Sequence, residues 1–246
     1  MAIHIGTSGW SYDHWQGILY PKGASSLKRL DFYTRTFRTV EVNNTFYRWP
    51  KDETFANWRE RTPEDFVFSI KASRGLTQFR RLNDPGPWLD RMTQGLRELG
   101  DKLGILLLQL PPQFAYHPDR LASFLPQVPS GLRIAFEFRH PTWNREDVFE
   151  VLEAYGAAYC VMSGAGLPCV LRATAPFVFV RLHGPDRKHL YSGSYSDDDL
   201  RWWSDRLREW TEQGREVFAY FNNDGHGYAV RNAETLQSFV HEMTLS

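Results

Sequence analysis

Residues 39–50 read TVEVNNTFYRWP. The stretch opens as a β-strand in which Val40 and Val42 flank Glu41. Side chains alternate along a strand, so the valines share one face and Thr39, Glu41 and Asn43 share the other. An unpaired carboxylate in a buried strand costs several kcal/mol, so the face that carries Glu41 needs a cation or a ligand opposite it. In a closed barrel of strands one parity faces surrounding helices and the other faces the axis. That reading sets Val40 and Val42 against helices and Glu41 on the axis.

The same habit recurs along the chain. Strand-like runs are IHIGTS, TVEVN, FVFSIKAS, GILLLQL, LRIAFEF, AAYCVM, FVFVRLHG and EVFAYFNND. Near their C-terminal ends, in one parity, stand Thr7 or Ser8, Ser69 and Lys71, Gln109, Glu137 and Arg139, Arg181 and His183, and Tyr220 and Asn222. Between them lie amphipathic stretches. SLKRLDFYTRTF places Leu27, Leu30, Tyr33 and Phe37 at helical spacing. DETFANWRER does so with Phe55 and Trp58, and PWLDRMTQGLRELG with Leu89, Met92, Leu96 and Leu99 before Gly100. PDRLASFLPQV carries Pro118 in its first turn, and NREDVFEVLEAYG starts at Asn144 as N-cap and stops at Gly156. SDDDLRWWSDRLREWTEQG and NAETLQSFVHEM complete the set. Helices thus follow seven of eight strands, AAYCVM being the exception. Parallel neighbours need long crossovers, so the alternation predicts a (β/α)8 TIM barrel over residues 1–246, one domain with an irregular sixth crossover. A doubly wound open sheet would carry G-x-G-x-x-G after its first strand, and GTSGWSYDHW is not that motif.

Charge is balanced, 29 basic against 29 acidic residues, so no global field favours nucleic acid or an anionic membrane. Any anion site must come from local clustering. The two cysteines, Cys160 and Cys169, lack zinc-type histidine spacing, and a cytoplasmic setting is expected. No secretory leader is expected from MAIHIGTSGW, and no apolar run reaches the ~20 residues that a membrane span needs.

Polar residues gathered at one end of a barrel mark the place where such folds put their chemistry. The bland alternative is a polar plug whose members pair with one another. Glu41 and Glu137 are the acid–base candidates, and His183 is the candidate proton carrier near neutral pH. Each glutamate is also expected to hold a cation, with Lys71 or Arg181 opposite Glu41. Lys71, Arg139 and Arg181 are the candidate anion clamp, with Asn43, Gln109 and Asn222 to orient the ligand. Arg74, Arg80 and Arg81 in KASRGLTQFRRL add positive charge nearby. Tyr12, Tyr47 and Tyr191 are assigned to the site as stacking rings, whereas Trp15 and Trp49 are assigned to packing under the loops. Ser8 and Ser11 are read as turn residues, and Pro112 in LPPQF as a candidate cis-proline. No H-x-H or H-E-x-x-H spacing joins Glu41, Glu137, His140, His183 and Asp224, and cations stand among them, so neither metal nor cofactor is expected. The expected partner is a small phosphorylated or carboxylated molecule. Nucleic acid is the rival, not favoured at zero net charge; a non-catalytic interaction scaffold is the third reading.

IHIGTSGWSYDHWQGILYP, VEVNNTFYRWP, FVFSIKASRGLTQFRRL, LLLQLPPQF, IAFEFRHPTW, FVFVRLHG with YSGSYSDDDLRWW, and VFAYFNNDGHGYAVRNA together resemble the DUF72 (YecE-like) family. The blocks span nearly the whole chain, with EFRHPTW and YFNND the most distinctive. The resemblance implies a TIM barrel and no established activity. Relatives often carry an acidic residue just after the sixth strand, where this chain has Ser163, so a mechanism needing a third carboxylate in the mouth is weakened. A looser likeness of fold alone, to endonuclease IV and sugar-phosphate isomerases, carries no function.

Overall fold

Eight parallel strands pair in chain order, and the last returns to the first, closing the barrel. The computed structural model describes residues 2–242. The strands are β1 (Ile3–Ser8), β2 (Thr39–Val42), β3 (Val67–Lys71), β4 (Leu103–Leu110), β5 (Ile134–Phe138), β6 (Ala158–Ser163), β7 (Phe177–Leu182) and β8 (Glu216–Phe221). The helices are α1 (Arg29–Thr36), the single turn α2 (Asn44–Tyr47), α3 (Asp52–Glu60), α4 (Gly86–Arg97), α5 (Pro118–Phe124), α6 (Glu146–Ala154), α7 (Asp197–Glu212) and α8 (Tyr228–Glu242). No helix joins β6 to β7, which is the irregular sixth crossover.

Strand parity sorts the core into two clusters. Val40, Val42, Phe68, Ile70, Leu106, Leu108, Phe136, Val178 and Val180 belong to the layer between strands and helices. Ile105, Leu107, Ala158, Cys160, Phe177, Phe179, Phe218 and Tyr220 form a separate interior cluster, with Cys160 as core. A waist of hydroxyls sits above the interior phenylalanines. Thr39 Oγ1 donates to the Val67 carbonyl at 2.9 Å, so Tyr220 donates to Thr39 at 2.6 Å and Ser69 to Tyr220 at 2.9 Å. Every partner in this chain is satisfied, as burial requires. At the N-terminal end His4 stacks on Phe218 with ring centroids 4.7 Å apart. Its Nε2 lies 2.8 Å from Glu216, which also accepts from Arg133 at 2.5 Å.

Local signals mostly act as expected. Ser196 caps α7 in a reciprocal box with Asp199, and Gly156 ends α6 at φ 62°. Three details differ. Leu27 is exposed, because a 3-10 turn over Ser26–Lys28 precedes α1 and breaks the helical register. Asn144 does not cap α6; Arg145 holds that position, and Asn144 Oδ1 instead accepts from Tyr159. No peptide bond is cis among the described residues, so Pro112 is trans. Among the described residues no helix is long and apolar enough to cross a membrane.

Candidate functional site

The upper end of the barrel interior holds a buried ion cluster. Glu41 and Arg181 approach from β2 and β7, Glu137 from β5, and all three are fully buried. Arg181 donates from Nε to Glu41 Oε2 at 2.8 Å and from Nη2 to Glu41 Oε1 at 2.7 Å, a bidentate grip. Its Nη1 donates to Glu137 Oε2. Glu41 Oε1 also accepts from Ser8 at 2.6 Å, because register sets Ser8 beside Glu41. Glu137 Oε1 accepts from Gln109 at 2.6 Å and from Arg139 Nε at 2.5 Å. Gln109 and Glu137 are likewise register neighbours. Glu41 is therefore answered by Arg181, 140 residues away in sequence, and not by Lys71.

This arrangement revises several assigned roles. Arg181 is walled in by both carboxylates and acts as their link, so it is not an outward anion clamp. Burial alone would raise the Glu137 carboxyl, but the Arg139 and Arg181 guanidiniums outweigh it and hold it well below the ordinary carboxylate range. Glu137 thus stays ionised at neutral pH and is no general acid there. His183 is fully buried; burial, helped by Arg181, pushes it down to about 4, so it is neutral near pH 7 and does not carry a proton there. Its Nδ1 meets Asn222 Nδ2 at 3.3 Å, and its Nε2 stands 3.8 Å from Glu137, too far for a hydrogen bond.

Lys71 is pushed the same way from a higher starting point. It ends β3, is 9% exposed, and places Nζ 4.3 Å from the centre of the Phe46 ring. Burial, then Arg181, push its amine down to about 7 from an ordinary 10.5. The group that titrates near neutrality in this mouth is Lys71.

Some polar atoms here have no protein partner. Arg139 Nη2, His183 Nε2 and Asn43 Oδ1 are buried without a hydrogen bond. Buried polar groups are normally paired, so such atoms mark places that a ligand or water completes.

The rings divide. Tyr191 caps the site: Gly184 at φ 101° turns the chain after β7, and the Tyr191 amide donates back to the His183 carbonyl at 2.7 Å. Its ring lies edge-on to His183 at 5.3 Å and 5.7 Å from the Arg139 guanidinium. Tyr191 holds φ 68°, a left-handed conformation that costs a non-glycine residue about 1–2 kcal/mol. Tyr12 donates to the Ser8 carbonyl at 2.6 Å and, with Trp10, Asn43 and Tyr47, lines a side cavity of about 270 Å³. Tyr47 is largely exposed. Trp15 is fully buried and Trp49 packs on Phe55, as packing residues do.

Of the two axial candidates at the end of β1, Thr7 and Ser8, it is Ser8 that joins the cluster, and it does not act as a turn residue. Its signal is parity: His4, Gly6 and Ser8 alternate onto the axis, while Thr7 faces Tyr33 of α1. Ser163 accepts from Tyr195, whose hydroxyl also receives the Gly184 amide, so the sixth strand end supplies a neutral hydrogen-bond network there. His140 pairs with Thr142 outside the cluster, and the Asp224 carbonyl meets His14. Among the described residues no three histidines, cysteines or acids converge as metal ligands.

Comparison with known proteins agrees with this architecture. YunF of Bacillus subtilis (strain 168), a UPF0759 protein, is 29% identical over 265 residues, covering 95% of this chain and 93% of its own length. YecE of Escherichia coli (strain K12) is 32% identical over 142 residues, 56% of this chain and 49% of its own. The crystal structure of a DUF72 family protein from Thermotoga maritima matches with a TM-score of 0.86 at 27% identity, covering all of both chains. The family model described as "Protein of unknown function DUF72" matches residues 4–245, and this TIM-barrel chain belongs to that family.

Proposed function

We propose that the C-terminal mouth of the barrel binds a small anionic molecule, held by Arg139 and Lys71, and that Lys71 exchanges a proton with it. The observation that carries this reading is the unpartnered Arg139 Nη2, buried beside carboxylates that are already taken. Glu41 and Glu137 cancel against Arg181 and Arg139, so a protonated Lys71 leaves the mouth with a surplus positive charge. A carboxylate or phosphate supplies both the acceptor and the counter-charge. Neutral His183, fixed through Asn222, offers Nε2 as a hydrogen-bonding group for the same molecule. Asn43 Oδ1 accepts a donor from it. We also read the protein as cytoplasmic, in keeping with two unpaired cysteines.

The test is a thermal melt over titrations of inorganic phosphate and of malonate at constant ionic strength. At a hundredfold excess over the dissociation constant the expected gain is about 2.7 kcal/mol. Arg139→Met removes most of it. Equal gains in wild type and variant would defeat the reading.

A second reading rests on a separate surface. The Arg74 guanidinium lies 5.7 Å from the Tyr47 ring and 5.6 Å from the Phe79 ring, both largely exposed, with Arg80 and Arg81 exposed nearby. Rings and arginines in that order suit single-stranded nucleic acid. Salt-dependent binding of a labelled oligonucleotide, lost in Arg74→Ala, would favour it.

A further inference from the structure

We infer that Lys71 is a nucleophile, its ε-amine condensing with the carbonyl group of a small anionic aldehyde or ketone to form an imine. The inference rests on the anion-site reading above and names the class of molecule that the site takes.

The geometry begins with what Lys71 lacks. Two glutamates share its mouth, yet Arg181 occupies both and Arg139 also takes Glu137. Among the described residues no carboxylate stands within ion-pair distance of Lys71 Nζ. The ammonium is therefore desolvated with no carboxylate bonded to it. Arg181 and Arg139 oppose its charge; Glu41, Glu137 and the Phe46 face favour it. The balance falls near neutrality. At pH 7 an amine of about 7 holds about a thousandfold more free base than one at 10.5. A free amine on a largely buried side chain is the form that attacks carbonyl carbon.

Arg139 Nη2 is an orphan donor in the same mouth, suited to a carboxylate or phosphate on the molecule whose carbonyl meets Lys71. The step balances without oxidant or reductant. The nitrogen lone pair forms the C–N bond and the carbonyl π pair moves to oxygen. That oxygen takes both protons shed by nitrogen and leaves as water, and the C=N bond forms.

The experiment treats the full chain with pyruvate, or with neutral acetone, at neutral pH with cyanoborohydride, which reduces any imine to a stable amine. Peptide mass mapping then locates the adduct. The other lysines are internal controls: Lys22, Lys28, Lys51 and Lys188 are exposed, and Lys102 is bound to oxygens of Arg59 and Thr62. The expected result is a pyruvate adduct on Lys71 at least about tenfold above any other lysine, and absent in Lys71→Arg. Equal capture of acetone at Lys71 would keep the nucleophile and sink the anion site. Surface lysines labelled while Lys71 stays bare, with Arg139-dependent phosphate binding intact, would overturn the nucleophile and keep the anion site.

Discussion

Glu216 at the lower end of the barrel and Glu137 at the upper end each sit between two basic side chains. Glu216 has Arg133 and His4; Glu137 has Arg139 and Arg181. The difference is water. Glu216 is 30% exposed and Glu137 is 0% exposed. At the lower end solvent shares the charges, and such pairs are worth about 0–1 kcal/mol. At the upper end the Glu137 carboxylate has no solvent contact and depends on the protein's own donors. The same residue types therefore make a loose rim at one end and a fixed framework with orphan atoms at the other. Burial, more than composition, separates a solvent-shared ion pair from a fixed framework.

The largest break in that comparison is Glu137→Ala. It strands Arg139 and removes one of the three hydrogen bonds that Arg181 donates, and denaturant unfolding should show a loss of about 3–5 kcal/mol. Glu137→Gln keeps acceptor oxygen and costs less. A loss in the alanine variant no larger than at Glu216 would erase the distinction.

Lys71 sharpens it through pH. Between about 7 and 10.5 the unfolded chain keeps the Lys71 proton and the folded chain does not, so stability rises with pH across that window. From about pH 7 to 9 the gain is about 2–3 kcal/mol at 1.4 kcal/mol per unit. Lys71→Met should flatten this rise; a rise of the same size in the variant assigns it elsewhere.

The smallest effect belongs to the lower end. Glu216→Ala should cost at most about 1 kcal/mol and fade further in high salt. A loss rivalling that of Glu137→Ala would mean that the lower cluster is structural in the same sense as the upper.

The barrel was legible because alternation needs only neighbours. Val40 and Val42 on one side of Glu41, repeated in later strands, carry the two-sided logic of a closed sheet. The partner of Glu41 was not legible to the same degree. Arg181 lies 140 residues away, and whether it or Lys71 reaches Glu41 depends on barrel shear and side-chain length. His183 and Lys71 depart from their expected proton affinities for a related reason. Their proton affinities are set by burial and by Arg181, neither of which is written beside them in the chain. At the end of strand one Thr7 and Ser8 both stayed open for the axis, because GTSGWS also reads as a turn although Ser8 is the last residue of β1. Leu27 shows the limit of periodicity: correct spacing, but a start one turn too early.

The Tyr220 hydroxyl has a consequence for access. Bridging Thr39 and Ser69 above a packed interior, it floors the mouth, and Phe179 and Phe218 beneath it are fully buried. A vessel with a floor opens at one end only, so any molecule that met the proposed site would arrive and depart from the C-terminal side of the strands.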